Sequence, residues 1–187
     1  MSDVGRKVIF SEQFDGELDA GWRWIREDPD RWRLCECGLE IMVEPGLADT
    51  VKNALVRVAP DREDGPYAIE VTIFNHAAPT QQYEQAGITW YQDGDPVFKE
   101  VKELVDGVLC IIPGGNPVPT DGVRLRLVVD EDSWEAQFRA PGATEYEMAG
   151  AGDLPPGEEE EVSIQCYNGP SDAEHWIRFE DFRIVRL

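Results

Sequence analysis

The stretch Val123-Arg124-Leu125-Arg126-Leu127-Val128-Val129 alternates apolar and polar side chains, so that every second residue is aliphatic. The stretch Ala68-Ile69-Glu70-Val71-Thr72-Ile73-Phe74 repeats the same period. A period of two is typical of a β-strand that buries one face. The same pattern, bounded by turn signals such as Asp64-Gly65-Pro66 and Asp106-Gly107, predicts further strands at Val8–Phe14, Trp32–Leu34, Leu39–Val43, Ala54–Ala59, Gln85–Tyr91, Val97–Leu104, Val108–Ile112, Trp134–Arg139, Val162–Tyr167 and Trp176–Leu187.

Helix signals are weak throughout the chain. The best short candidate is Trp22–Glu27, and no segment carries a long amphipathic helical pattern. The 187 residues suit one domain that spans residues 1–187. Short strands at turn-punctuated spacing therefore predict an all-β fold of two antiparallel sheets packed face to face.

The charge of the chain limits its partners. Asp and Glu number 38 against 17 Lys and Arg, which gives a formal charge of −21. A field of that sign repels phosphate backbones and anionic bilayers, so we expect neither nucleic acid nor membrane as a partner. The acidity and the scarcity of lysine fit a salt-rich habitat and an arginine-biased genome about equally.

Two further features bear on location. No apolar run approaches the roughly 20 residues that span a bilayer, and no secretory apolar region follows the basic pair Arg6-Lys7, so we expect a cytoplasmic protein. Cys35, Cys37, Cys110 and Cys166 lack the spacing of a zinc site, and without a secretory leader we expect free thiols.

Several strings together resemble a known family. They are Phe10-Ser11-Glu12-Gln13-Phe14-Asp15-Gly16, Gln85-Ala86-Gly87-Ile88 with Trp90-Tyr91-Gln92-Asp93, and the closing Arg178-Phe179-Glu180-Asp181-Phe182-Arg183-Ile184. In this order they resemble a domain-of-unknown-function family of the concanavalin A-like lectin and glucanase superfamily. That family includes regulation-of-enolase-like proteins and is similar to the C-terminal sandwich of some β-xylosidases. The resemblance implies a concanavalin A-like jelly-roll sandwich and says little about activity.

A carbohydrate site is the favoured interpretation of the polar positions. In Gln85–Tyr91 one face is apolar, and the other carries Gln85, Gly87, Thr89 and Tyr91. We expect this second face to be the concave surface, with Gly87 leaving room for a ligand. The side chains expected to bind an oligosaccharide there are Gln85, Tyr91, Glu100, Lys102, Arg124 and Arg126.

Catalysis has weaker support. A glycosidase needs two carboxylates across one sugar bond, and the chain has no Glu-x-Asp-x-Glu string on a credible strand. The run Glu158–Glu161 is interpreted as a solvated loop that leads into a strand. We therefore favour a non-catalytic binding or interaction module. The alternatives are a saccharide-active enzyme whose carboxylates meet only in space, and a regulatory domain that docks a protein partner.

No cofactor is required by this interpretation, although the sequence allows a structural calcium ion. Glu12 and Asp15 end the first strand and Asp181 lies in the last, so antiparallel pairing would bring their oxygens together.

Overall fold

The computed structural model describes residues 7–36, 38–119 and 122–187, and within these ranges the secondary structure is almost entirely β. Two short 3₁₀ turns lie at Pro29–Arg31 and Arg62–Asp64, and the described ranges contain no α-helix. The strands in chain order are β1 (Val8–Glu12), β2 (Arg23–Ile25), β3 (Trp32–Cys35), β4 (Gly38–Met42), β5 (Ala54–Val58), β6 (Tyr67–Asn75), β7 (Gln85–Gln92), β8 (Asp95–Val105), β9 (Val108–Ile112), β10 (Asn116–Pro117), β11 (Val123–Val129), β12 (Ser133–Arg139), β13 (Glu147–Asp153), β14 (Glu160–Tyr167) and β15 (Trp176–Arg186).

The strands form two antiparallel sheets. The eight-stranded sheet has the order β13-β12-β11-β6-β15-β4-β3, with β1 also paired to β15. The seven-stranded sheet has the order β10-β9-β8-β7-β14-β5-β2. The predicted fold is therefore confirmed: the chain is an all-β jelly-roll sandwich.

The alternation seen in the sequence sets which side chains meet between the sheets. Leu125 and Leu127 of β11 lie opposite Val71 and Ile69 of β6, and all four are completely buried. The facing sheet contributes Trp90, which is also fully buried. Burial of apolar area on this scale, at roughly 25 cal/mol per Å², is what holds the two sheets together.

The best short helix candidate, Trp22–Glu27, is not a helix. Arg23–Ile25 forms β2 and pairs with β5 at the edge of the seven-stranded sheet. Trp24 packs against Trp32 with ring centroids 4.7 Å apart, so the segment is held by tertiary packing and not by helical propensity.

Strand β13 was not predicted, because its Met-Ala-Gly-Ala-Gly core lacks β-branched residues. Its glycines serve packing: a Cβ at Gly150 would lie 2.9 Å from the Pro113 ring, and one at Gly152 would lie 3.0 Å from Trp134. A side chain is therefore excluded at these two positions, because a neighbouring ring lies too close.

Cys35, Cys110 and Cys166 are free thiols, while Cys37 lies outside the described residues. Within the described ranges, no helix has the length and apolar character needed to cross a bilayer.

Candidate functional site

A cavity of about 780 Å³, here called the sheet cleft, lies over the outer face of the seven-stranded sheet and extends to Phe98 and to Trp134 of β12 at the edge of the sandwich. Its floor is formed by β7 and β8, because Gln85 and Thr89 point outward next to Glu103 and Lys99. The volume lies in the range that small-molecule and oligosaccharide sites occupy.

The floor of the cleft is a short polar network. Lys99 Nζ donates to Gln85 Oε1 at 2.7 Å and to Glu103 Oε2 at 2.9 Å. The Gln85 amide in turn donates to the Tyr83 carbonyl at 2.9 Å. Glu103 is 6% exposed, whereas the Lys99 side chain is about one-third exposed, so the ammonium is the open end of the network.

The walls of the cleft are apolar and aromatic. On one side stand Tyr83 and Leu47, which are 50% and 63% exposed. On the other side Val97 is 48% exposed beside Phe98, whose ring lies 4.0 Å from the Trp134 ring. Aromatic and aliphatic walls over a polar floor suit a ligand with both apolar and hydroxyl-bearing faces.

A buried contact between a histidine and a carboxylate holds the loop that presents Tyr83 and leads into β7 at Gln85. His175 Nδ1 lies 2.7 Å from Glu84 Oε1, and both side chains are buried. The second Glu84 oxygen accepts the backbone amide of Thr80 at 3.0 Å. These two contacts of Glu84 fix the loop from its buried side, and with it the position of Tyr83.

Part of the same outer face is roofed by residues 44–53, here called the covering segment. Val51 packs on Val56 and Tyr167, which are outward-facing residues of β5 and β14. Arg26 holds the segment by donating to the Val51 carbonyl at 3.0 Å and to the Asp49 carbonyl. The cleft is consequently open over β7 and β8 and closed over β14.

Of the six predicted ligand-binding residues, only Gln85 lines the cleft. Glu100 and Lys102 are wrong for this face, because β8 pairs Glu100 with Ile88 and Lys102 with Ala86, both core residues. The two charged side chains point between the sheets and are 0% and 2% exposed. Burial raises the pKa of Glu100 well above its ordinary value.

Arg124 and Arg126 belong to the other sheet. They lie on the outer face of β11 and make ion pairs with Glu70 at 2.9 and 3.5 Å. Arg126 also stacks over Tyr146, 4.9 Å from the ring centroid. The whole thickness of the sandwich separates them from the sheet cleft, so a face shared with Gln85 is wrong.

Tyr91 has the expected outward direction but is not accessible. It is 3% exposed, and its hydroxyl donates to Gln165 Oε1 at 2.9 Å. Gly87 also has a different role from the one predicted. A Cβ there would lie 2.2 Å from the Glu100 carbonyl oxygen, so glycine is required by the approach of the neighbouring strand.

The three residues predicted to bind calcium are not brought together as a site. Glu12 uses both carboxylate oxygens to accept backbone amides of the following loop, each at 2.9 Å. Asp181 accepts from Arg124 at 3.0 Å, and Asp15 is exposed. Within residues 7–36, 38–119 and 122–187 no three ligating side chains converge. A structural calcium ion stays a prediction without support from this geometry.

Sequence reasoning missed Tyr83, Lys99 and Glu103. The alternation of β7 indicates that Gln85 and Thr89 face outward. Both faces of β8 mix charged and apolar residues, so the sequence does not show that Lys99 and Glu103 lie on that same face. Tyr83 lies in a loop, where no periodic pattern marks its direction.

Comparison with known proteins finds similar folds among solved structures. No family model and no curated protein matches the chain. Among solved structures, the GH43 BlXynB protein from Bacillus licheniformis is similar with a TM-score of 0.75 and 20% identity, over 95% of this chain and 39% of that one. A xylan β-1,4-xylosidase from Bacillus halodurans C-125 has a TM-score of 0.72 and 15% identity, over 93% and 38% of the two chains.

A third similar structure is the alginate lyase AlgAT5 of polysaccharide lyase family 7, with a TM-score of 0.59 and 9% identity over 86% of this chain and 85% of that one. At these identities the similarity shows the fold alone. The chain spans well under half the length of the first two proteins. Fold and cavity together define a jelly-roll sandwich with a ligand-sized cleft on one sheet face.

Proposed function

We propose that the protein is a non-catalytic carbohydrate-binding module that takes a neutral oligosaccharide in the sheet cleft. The observation that carries this proposal is the cleft itself, in which the Gln85–Lys99–Glu103 floor lies between walls of exposed aromatic and aliphatic side chains. Sugars have hydroxyl edges and apolar ring faces, and this arrangement matches both.

The similar structures supply a second, weaker support. The similar structures include a xylan β-1,4-xylosidase and an alginate lyase, which are named for action on xylan and alginate. We also infer from the jelly-roll architecture that the chain belongs to the concanavalin A-like superfamily.

The acids in the cleft favour binding over hydrolysis. Glycoside hydrolysis ordinarily needs one carboxyl group as acid and a second as base or nucleophile. Glu103 is held in an ion pair with Lys99, and Asp49 is the other acid among the cleft-lining residues. Asp49 is exposed and lies in the covering segment outside any strand, so no strand holds it across a sugar bond from Glu103.

Charge favours an uncharged ligand over a polyuronate. The single lysine of the cleft is balanced by Glu103, and the chain as a whole carries a formal charge of −21. Such a field lowers the local concentration of anionic saccharides.

The test is calorimetric titration of the full chain with xylohexaose, cellohexaose and laminarihexaose, with an alginate hexasaccharide as the charged comparison. Tyr83→Ala should weaken binding of the neutral probe roughly 2- to 12-fold, since an aromatic contact contributes about 0.5–1.5 kcal/mol. Lys99→Met should weaken it as well, whereas Lys7→Met, a matched change on an exposed lysine of the other sheet edge, should not.

Absence of binding to every neutral glycan on a broad array would overturn the proposal. Equal loss of affinity in Lys99→Met and Lys7→Met would overturn the assignment of the site to this cleft. A thermal-unfolding scan of each variant separates loss of binding from loss of fold.

A further inference from the structure

A row of buried polar side chains lies beside the sheet cleft on the same outer face. We call Thr89 and Tyr91 of β7, with Ser163 and Gln165 of β14, the polar strip. Strand pairing places Thr89 next to Ser163. The strip therefore runs from the floor of the cleft to the part of the sheet that lies under the covering segment. Thr89 itself lines the cleft.

Two members of the strip hold the amide of Gln165 in one orientation. Gln165 Oε1 accepts from the Tyr91 hydroxyl at 2.9 Å and from the Ser163 hydroxyl at 2.8 Å. Burial raises the pKa of Tyr91, which keeps its hydroxyl a donor at any physiological pH. The opposite end of the amide, Nε2, is therefore directed away from both hydroxyls.

The other two polar atoms of the strip are unused. Gln165 Nε2 and Thr89 Oγ1 are both buried, and neither has a hydrogen-bond partner among the described residues. The two side chains are 0% and 2% exposed. Leaving a buried polar group without a partner costs about 1–3 kcal/mol, so a folded chain retains such groups where something else needs them.

The covering segment is anchored at both ends and loosely held between them. At its ends the Glu44 carbonyl accepts from the Gly169 amide at 3.0 Å, and Asn53 Oδ1 accepts from the Asp28 amide at 2.7 Å. Between these ends the segment is tied by two hydrogen bonds from Arg26 and by the packing of Val51 and Ala48 on the outward-facing apolar residues of β5 and β14. Leu47, at its tip, is 63% exposed. This middle part, with few buried apolar contacts, opens at lower free energy than the sheets themselves.

We propose that the sheet cleft continues beneath the covering segment, and that the polar strip is a second subsite for the same neutral oligosaccharide. The Gln165 amide donates to a sugar oxygen, and the Thr89 hydroxyl completes the pair. Tyr91 and Ser163 are positioning residues that aim the amide. This inference rests on the proposed carbohydrate function, and it specifies where the additional sugar units of a longer ligand bind.

The test uses Thr89→Val, which keeps the shape of the side chain and removes its hydroxyl. Because that hydroxyl is unpartnered, the variant should unfold at a higher temperature than the wild type, yet bind xylohexaose 2- to 12-fold more weakly. Thr72→Val is the matched control: its hydroxyl accepts from Arg124 at 2.9 Å on the other sheet, so it should lose stability and keep its affinity.

Ligand length separates the subsite from the open cleft. Gln165→Met, at a residue that does not line the open cleft, should leave affinity for xylotriose nearly unchanged while weakening xylohexaose. If the Thr89→Val and Gln165→Met variants bind xylohexaose, cellohexaose and laminarihexaose as the wild type does, the second subsite is overturned while the cleft proposal stands. If the wild type binds no neutral glycan, both proposals fall together.

Discussion

Glu100 is an ionisable residue that lies in the interior, where an ionised carboxylate is unfavourable. Its side chain is completely buried between the sheets, and neither carboxyl oxygen makes a hydrogen bond of normal geometry to the described residues. Desolvation raises its pKa well above the ordinary value, and the backbone amides of Arg126 and Gln137 offset this only in part. The folded state therefore favours the neutral carboxylic acid.

This shift fixes the sign of a pH dependence. A carboxyl group whose pKa is raised by folding contributes stability below its ordinary pKa, and that contribution is lost as pH rises through the folded-state value. Glu100→Gln should raise the midpoint of thermal unfolding at pH 8, by roughly 2–4 °C for each kcal/mol relieved, and should leave it nearly unchanged at pH 4.

Glu158→Gln is the matched control, because Glu158 is exposed and its loss should not move the difference between the two pH values. Thermal scans of the three proteins at both pH values make the comparison. A Glu100→Gln midpoint that falls at pH 8 would mean that the ionised carboxylate is stabilised inside the sandwich.

Glu100 also shows why the site was harder to predict than the fold. Alternation identified β7 and β11 closely, because one face of each is purely apolar. In β8 both faces carry charge, so the sequence does not reveal that Lys99 and Glu103 face outward while Glu100 and Lys102 face inward. Sheet membership is equally hidden, since the partner of Arg126 in the sheet is Glu70, far away in sequence.

At the scale of elements, two ion pairs hold the start of β14. They involve the adjacent residues Glu160 and Glu161, and the first pair is largely buried while the second is partly exposed. Arg62 donates to both carboxylate oxygens of Glu160, at 2.8 and 2.5 Å, with both side chains largely buried. Arg23 pairs with Glu161 with its own side chain about half exposed. The acidic run was predicted to be a solvated loop that leads into a strand. Glu158 and Glu159 are exposed, and β14 begins at Glu160.

These neighbouring pairs predict unequal costs. Arg62→Met removes the cation from the largely buried Glu160 carboxylate, whose remaining partners are the neutral amides of Gln92 and Gly157, and should cost about 3–5 kcal/mol. Arg23→Met should cost less than about 1 kcal/mol. Chemical denaturation with a linear extrapolation measures both. The double variant Arg62→Met, Glu160→Met should recover part of the loss, and a cost of Arg62→Met as small as that of Arg23→Met would contradict the buried-pair argument.

At the scale of the whole molecule, electrostatic repulsion among the excess acidic residues opposes folding. The chain carries 38 acidic against 17 basic residues, and its basic side chains include the buried Arg62, Arg124 and Arg126, which are already committed to local contacts. Repulsion among exposed carboxylates acts over a screening length of roughly 30 Å at 0.01 M salt and 10 Å at 0.1 M. The folded state is therefore opposed most strongly at low ionic strength.

The midpoint of thermal unfolding should accordingly rise steeply as NaCl increases from about 0.01 M to about 0.1 M and then flatten, because further salt shortens the screening length by ever smaller steps. Buried pairs such as Arg62–Glu160 contribute little to this slope, since solvent ions do not reach them. A variant with four exposed acids changed to glutamine, Glu17, Glu147, Glu158 and Glu159, should start at a higher midpoint in low salt and gain less on adding it. Equal slopes for the two proteins would mean that salt acts through a bound ion, and a midpoint that falls with salt would mean that exposed ion pairs outweigh the repulsion.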